Sequence, residues 1–204
     1  MAKRSFDIVV SLVLLVLLSP VLLYIAIRIK CESPGPVFYR GVRTGLHGKP
    51  FRILKFRTMV PDAEHLGGPS TAYNDPRLTK FGASLRKYKL DELPQFINVL
   101  LGDMSIVGPR PQVERYTMLY NNEEKIILSV KPGITDYASL HFINLDRILG
   151  DHDVDGKYLR EIEPEKNRLR VKYAREHSFL VDVKILLLTA RKMLNIVSAR
   201  NAEE

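Results

Sequence analysis

Apolar and polar positions alternate differently in three stretches of this chain. From Ile8 to Ile27 no side chain is charged, and these 20 residues form an uncharged, mostly apolar run. As straight helix such a run is about 30 Å long, the thickness of a bilayer's hydrocarbon core. Ser19 and Pro20 interrupt it near its middle. Proline removes a backbone donor and collides with the carbonyl four residues earlier, so the helix must kink or break there. Basic residues flank both ends, Lys3 and Arg4 before and Arg28 and Lys30 after, whereas a spanning helix usually carries its excess on one side. The pattern predicts a segment that either spans with a kink or enters and turns back at Ser19-Pro20. In the second case Ser19 bonds a carbonyl freed at the bend. The residues alone leave the two open.

After the Ser33–Pro36 turn cluster, Val37–Met59 reads as a β-hairpin about Gly45–Gly48, with Arg40, Arg43, Arg52, Lys55 and Arg57 making it cationic. Residues 60–79 hold Gly67-Gly68-Pro69 and Asn74-Asp75-Pro76 and read as a loop. Helical spacing returns at Leu93, Phe96, Ile97, Leu100 and Leu101. Pro94 suits the first turn of that helix, and Asp91 and Glu92 fall at its start, where unpaired N–H groups favour carboxylates and keep them ionised. Gly102–Pro111 is expected as a loop, Val113–Leu128 as a helix and Lys131–Gly133 as a turn. Phe179–Val197 is an apolar helix interrupted by Asp182, Lys184, Arg191 and Lys192, expected to pack on the core, with a membrane-surface position as the alternative.

Composition narrows the possibilities. A net charge of +8 asks for an anionic partner: nucleic acid, a phosphate-bearing substrate or anionic lipid. With 26% charged residues the chain is not a polytopic membrane protein, and the single cysteine, Cys31, excludes an internal disulfide. P-loop, dinucleotide-binding and nucleophile-elbow signatures are missing, and the histidines at 47, 65, 141, 152 and 177 lack metalloprotease spacing. Asp151–Gly156 matches the first half of a calcium loop, but Ile162 stands where a bidentate glutamate belongs, so a solvated acidic turn is expected. No nucleic-acid reader motif accompanies the basic hairpin.

Taken together, "LLSP", "KFRTM", "LDELPQFINVLLGDMSIVGPRP" and "KPGIT", in this order, resemble the bacterial sugar transferase family, the small monotopic phosphoglycosyl transferases. The likeness covers approximately residues 3–135 and resumes near 173–192, and its 22-residue block Leu90–Pro111 is far more specific than any dipeptide. The resemblance implies a helix-rich α+β chain. Residues 1–30 would form a re-entrant helix bent at Ser19 and Pro20, and residues 31–204 a cytosolic catalytic domain with a β-hairpin and membrane-interface helices, on the cytoplasmic face of the bacterial inner membrane. It implies transfer of a sugar 1-phosphate from a UDP-sugar to polyprenol phosphate, with Mg²⁺ as cofactor, UMP as product and no nucleic-acid partner. Asp91 would be the nucleophile and a Mg²⁺ contact, and Glu92 its partner carboxylate. Arg57, Thr58, Arg86 and Arg110 are typed to hold phosphate oxygens. The chain departs from the family's usual residues at Gly41, at Asp136-Tyr137 and at Arg170, where an acidic residue commonly precedes Tyr173. Two other classes are separable: a membrane-tethered nucleic-acid or scaffold protein, and a glycosyltransferase releasing UDP.

Overall fold

Pro20 acts as its chemistry requires. In the computed structural model, which describes residues 2–66, 75–143, 145, 148 and 154–201, helices α1 (Ala2–Leu17) and α2 (Ser19–Glu32) meet at Leu18 with a 63° bend. Ser19 Oγ donates to the Val16 carbonyl at 2.8 Å, capping a group the break exposes. No single described helix is long and apolar enough to cross a membrane; the bent pair taken together is. Its outer surface leaves Val9, Leu12, Val16, Leu17, Leu23 and Ile27 exposed.

Both ends of this pair are tied to the same body. At the start, Lys3 donates to the Val107 carbonyl and pairs with Asp182, while Arg4 donates to the carbonyls of Val99 and Leu100. Asp7 is buried and accepts from Ser105 Oγ and the Ile106 N–H. At the exit, Ile25 and Ile29 pack against Phe56 and Leu85, and Glu32 accepts from the Phe81 N–H.

The hairpin forms, with a break. Strands β2 (Val42–Thr44) and β3 (Pro50–Arg52) pair antiparallel, as do β1 (Phe38–Tyr39) and β4 (Lys55–Phe56). Between the two ladders the Leu54 N–H turns aside to Asn98 Oδ1 at 2.8 Å. Asn98 also donates to the Arg52 carbonyl, so the hairpin is bolted to helix α4 (Gln95–Leu101). Gly102 ends α4 with φ 94°, a left-handed cap suited to glycine. Helix α3 (Lys80–Lys87), capped by Thr79, follows the loop and was not signalled by an apolar period.

Three expectations need correction. Gly102–Pro111 contains a strand, β5 (Ser105–Val107), and the last residue of the Lys131–Gly133 turn opens its parallel partner, β6 (Gly133–Thr135). Three residues are too few to display a period of two. The pair leads into a close backbone approach: a Cβ on Gly133 would lie 2.1 Å from the Gly108 nitrogen. Val113–Leu128 is not one helix. A single turn, α5 (Glu114–Thr117), is followed by a 3₁₀ segment at Glu124–Ser129, because the Asn121 side chain accepts from the N–H groups of Glu123 and Glu124 and starts a new turn. Third, Asp155 and Gly156 of the acidic turn are helical; Asp151, His152 and Asp153 lie outside the described residues.

After α6 (Tyr137–His141), the chain resumes as α7 (Val154–Lys157), passes a π-helical turn at Tyr158–Ile162, and continues as α8 (Glu163–Glu176) and α9 (Phe179–Asn201). Helix α8 buries Glu163, Lys166, Asn167 and Arg170 as well as Val171, Tyr173 and Ala174, so its inner face mixes ionic with apolar groups and its hydrophobic signature is weak. Ile53, Val99, Met104, Ile106, Tyr173 and Ile185 form the heart of the core. Helix α9 packs there through Val181, Ile185 and Leu186, while Leu180, Leu187 and Leu194 stay exposed.

Candidate active site

The backbone turns sharply just before the two acidic residues. Lys89 has φ 57°, a left-handed conformation costing a non-glycine residue about 1 kcal/mol. A 3₁₀ turn at Leu90–Glu92 follows, with Pro94 as the residue ahead of α4. This sends the neighbouring carboxylates into different surroundings.

Glu92 is saturated. Lys55 Nζ, from the start of β4, donates to Oε1 at 3.0 Å, and Arg110 grips both oxygens, Nη1 donating to Oε2 at 2.9 Å and Nη2 to Oε1. The Arg110 loop is itself fixed: its backbone N–H donates to Asp136 Oδ2, its Nη1 also reaches the Ile134 carbonyl, and the Gly133 N–H bonds the Pro109 carbonyl. Asp136 is fully buried and also caps α6 through the Ser139 N–H. Asp91, by contrast, is 5% exposed and its Oδ1 has no hydrogen-bond partner among the described residues.

Their acidities separate accordingly. Burial pushes the Asp91 carboxyl up from 3.8, partly offset by the Lys55 charge and reinforced by Glu92. Burial would raise Glu92 as well, but Arg110 and Lys55 outweigh it and hold Glu92 well below the usual carboxylate range. A helix start was expected to keep both ionised. For Glu92 the cause is instead two cations from other elements, and for Asp91 desolvation wins. Lys55 is lowered by its own burial, against the pull of Glu92.

Arg86 and Thr58 come together, Arg86 Nε donating to Thr58 Oγ1 at 3.1 Å, with Arg86 close enough to act on the Asp91 charge. Arg57 is placed elsewhere. Its Nη1 donates to the Pro34 carbonyl and its Nη2 to the carbonyl and hydroxyl of Ser33, so it ties the exit of α2 to the strand rather than facing the acidic pair. Lys55, Lys89 and Asp136 complete the surroundings and escaped the sequence reading. Lys55 showed there only as one cation among several on the hairpin.

Lys55, Lys89, Arg86 and Arg110 all act electrostatically on the acidic pair. A carboxylate with an unshared buried oxygen beside four cations is equipped to meet an anionic electrophile such as a phosphoryl group. The described residues hold no cluster of three or more His, Cys, Asp or Glu side chains. A Mg²⁺ ion needs only one or two carboxylates when substrate phosphates and water supply the rest. The orphaned oxygen of Asp91 fits that part, while both oxygens of Glu92 are already engaged.

Comparison with known proteins gives concordant results. The profile of the family described as Bacterial sugar transferase matches residues 1–196. The "UDP-glucose:undecaprenyl-phosphate glucose-1-phosphate transferase" of Escherichia coli (strain K12) is 42% identical over 93% of this chain and 39% of its own length. The "Uncharacterized sugar transferase EpsL" of Bacillus subtilis (strain 168) is 40% identical over 94% of this chain and 87% of its own. The "UDP-N-acetylgalactosamine-undecaprenyl-phosphate N-acetylgalactosaminephosphotransferase" of Aeromonas hydrophila is 35% identical over 97% of this chain and 45% of its own. The chain thus spans less than half the length of the relatives whose names state a reaction, and most of the Bacillus protein.

Proposed function

The chain belongs to the bacterial sugar transferase family, and from that premise we propose that it transfers a sugar 1-phosphate from a UDP-sugar to undecaprenyl phosphate, releasing UMP. The division of labour between Asp91 and Glu92 carries this reading. The unshared oxygen of Asp91 attacks the β-phosphorus of the donor, and the bond from that phosphorus to the bridging oxygen breaks. UMP leaves, and the sugar phosphate is held on Asp91 as an acyl phosphate. An oxygen of the polyprenol phosphate then attacks the same phosphorus and frees Asp91. Glu92, with both oxygens occupied, is the positioning residue that aims Arg110 and Lys55 at the phosphoryl oxygens. Arg86 and Thr58 supply further donors from the neighbouring side. Asp91 would also hold Mg²⁺ together with the donor phosphates, and the ion would neutralise charge on their oxygens.

The product identifies the reaction. Detergent-purified protein given Mg²⁺, a panel of UDP-sugars and undecaprenyl phosphate is expected to release UMP with the sugar that fits. Release of UDP would mean ordinary glycosyl transfer, and salt-sensitive nucleic-acid binding indifferent to both carboxylates would point to a scaffold.

The α1–α2 pair serves this chemistry as a re-entrant segment. A lipid phosphate and a water-soluble nucleotide must meet at one membrane face, and both ends of the pair are bound to the same body. On this reading residues 1–30 sit in the inner leaflet and the catalytic part lies on the cytoplasmic side. In a Cys31→Ser background, Ala2→Cys is expected to resist an impermeant maleimide applied from the periplasm. Labelling as fast as a periplasmic control would mean that the segment spans.

A further inference from the structure

Helix α8 carries a cation whose position the chemistry above does not use. Lys166 is 7% exposed, and among the described residues its ammonium has neither a hydrogen bond nor an ion pair. It lies instead between two aromatic faces, 4.9 Å from the Tyr158 ring centroid and 5.7 Å from that of Phe142. Tyr158 stands in the π-helical turn before α8, a rare geometry found often at functional sites.

The nearest acid is already engaged. Glu163 pairs with the buried Arg170 at 2.9 Å, and both its oxygens accept from Gln112 Nε2 at 3.1 Å. Asp136 is committed to the Arg110 N–H and to the cap of α6. Arg170 and Arg110 add repulsion. Burial, with that repulsion, lowers Lys166 to about 7, so the two rings and Glu163 do not compensate for desolvation. A buried ammonium without an anion is a liability to the fold, and one that a phosphate oxygen would relieve.

Lys166 and its two rings are linked to the acidic pair through one loop. Arg110 binds Glu92, and two residues later Gln112 donates to Tyr158 Oη at 2.9 Å, while Arg110 and Lys166 lie within electrostatic range of each other. We propose that Lys166, held between Phe142 and Tyr158 beside Arg110, is a donor-site contact that takes an oxyanion of the nucleotide's diphosphate. This rests on the nucleotide-sugar reading above and adds a residue from α8 to the phosphate-binding set.

The test uses UDP, the part shared by all the donors considered, with the full-length protein in detergent at pH 8.5. There Lys166 is mostly neutral in the free protein, and a phosphate beside it draws a proton from the buffer. Calorimetry in buffers of different ionisation heat is expected to show proton uptake on binding, about one proton at most. Lys166→Met should lose that uptake and bind UDP at least about tenfold more weakly, with KM for undecaprenyl phosphate unchanged. Lys166→Arg should recover affinity without recovering the uptake.

Folding is checked independently. With its acidity lowered from 10.5 to about 7, Lys166 makes the folded state bind fewer protons than the unfolded one between those values. Wild-type stability therefore gains as pH rises through that window, and Lys166→Met is expected to melt higher than wild type near pH 6. Unaltered UDP affinity and proton uptake in Lys166→Met would overturn the assignment. A rise confined to the KM for the lipid would place the contact at the acceptor phosphate and overturn it too. Failure of wild type to bind UDP at all would instead sink the nucleotide-sugar reading itself.

Discussion

Asp91→Asn is expected to cut UMP release by at least about 10³-fold, because an amide cannot form the aspartyl phosphate intermediate. The fold should not suffer. The Asp91 carboxyl is raised by burial, so its contribution to stability is present below 3.8 and lost as pH rises through its folded value. Once ionised, the desolvated group opposes folding, and a neutral amide removes that opposition. Asp91→Asn should therefore melt at or above the wild-type temperature at pH 7 while being inactive. An inactive variant that melts well below wild type would assign Asp91 to structure, and an active one would remove it from the chemistry.

Arg110→Met should do the reverse to stability. Glu92 then keeps only Lys55, and because the pair is partly buried, with Arg110 29% and Glu92 16% exposed, the expected loss is about 1–3 kcal/mol. The sign with pH follows from the depressed acidity of Glu92. Its stabilisation is complete above its unfolded value of 4.5 and fades only as pH falls through a folded value well below that. In Arg110→Met the acid loss should move upward toward pH 4–5 in denaturant titrations read across pH. Activity should fall about 10²–10³-fold, the usual effect of losing a preorganised donor at a charged transition state. Arg110→Lys should recover little, since one ammonium cannot span both Glu92 oxygens as the guanidinium does.

The sequence showed much of this site and little of how it is held. Asp91 and Glu92 would have passed for a helix cap and stood out only through the family resemblance of the Leu90–Pro111 block, whereas the bend at Ser19-Pro20 was legible because proline acts locally. The opposite fates of the two carboxylates were invisible, since Lys55 and Arg110 reach Glu92 from positions 37 and 18 residues away. Arg57 illustrates the converse. Its residue type suits phosphate, yet the carbonyls it binds belong to a turn 23 and 24 residues earlier. Strands β5 and β6 were too short to betray themselves. Helix α8 was hidden because Glu163, Lys166, Asn167 and Arg170 fill the first part of its buried face, and hydrophobic periodicity registers only apolar burial.

The ties at the start of α1 also bear on how the protein comes into being. Lys3 and Asp182 lie 179 residues apart, and Asp7 finds its partners 98 and 99 residues downstream. At about 5–20 residues per second, a ribosome needs roughly 10–35 s to deliver the partner of Lys3 after Lys3 itself has been made. Arg4 and Asp7 wait about half that interval for Val99, Leu100, Ser105 and Ile106, and Lys3 waits for all of it to meet Asp182. Helix α1 is thus made well before its last tie becomes available, and a chain halted before α9 would lack the Lys3–Asp182 pair.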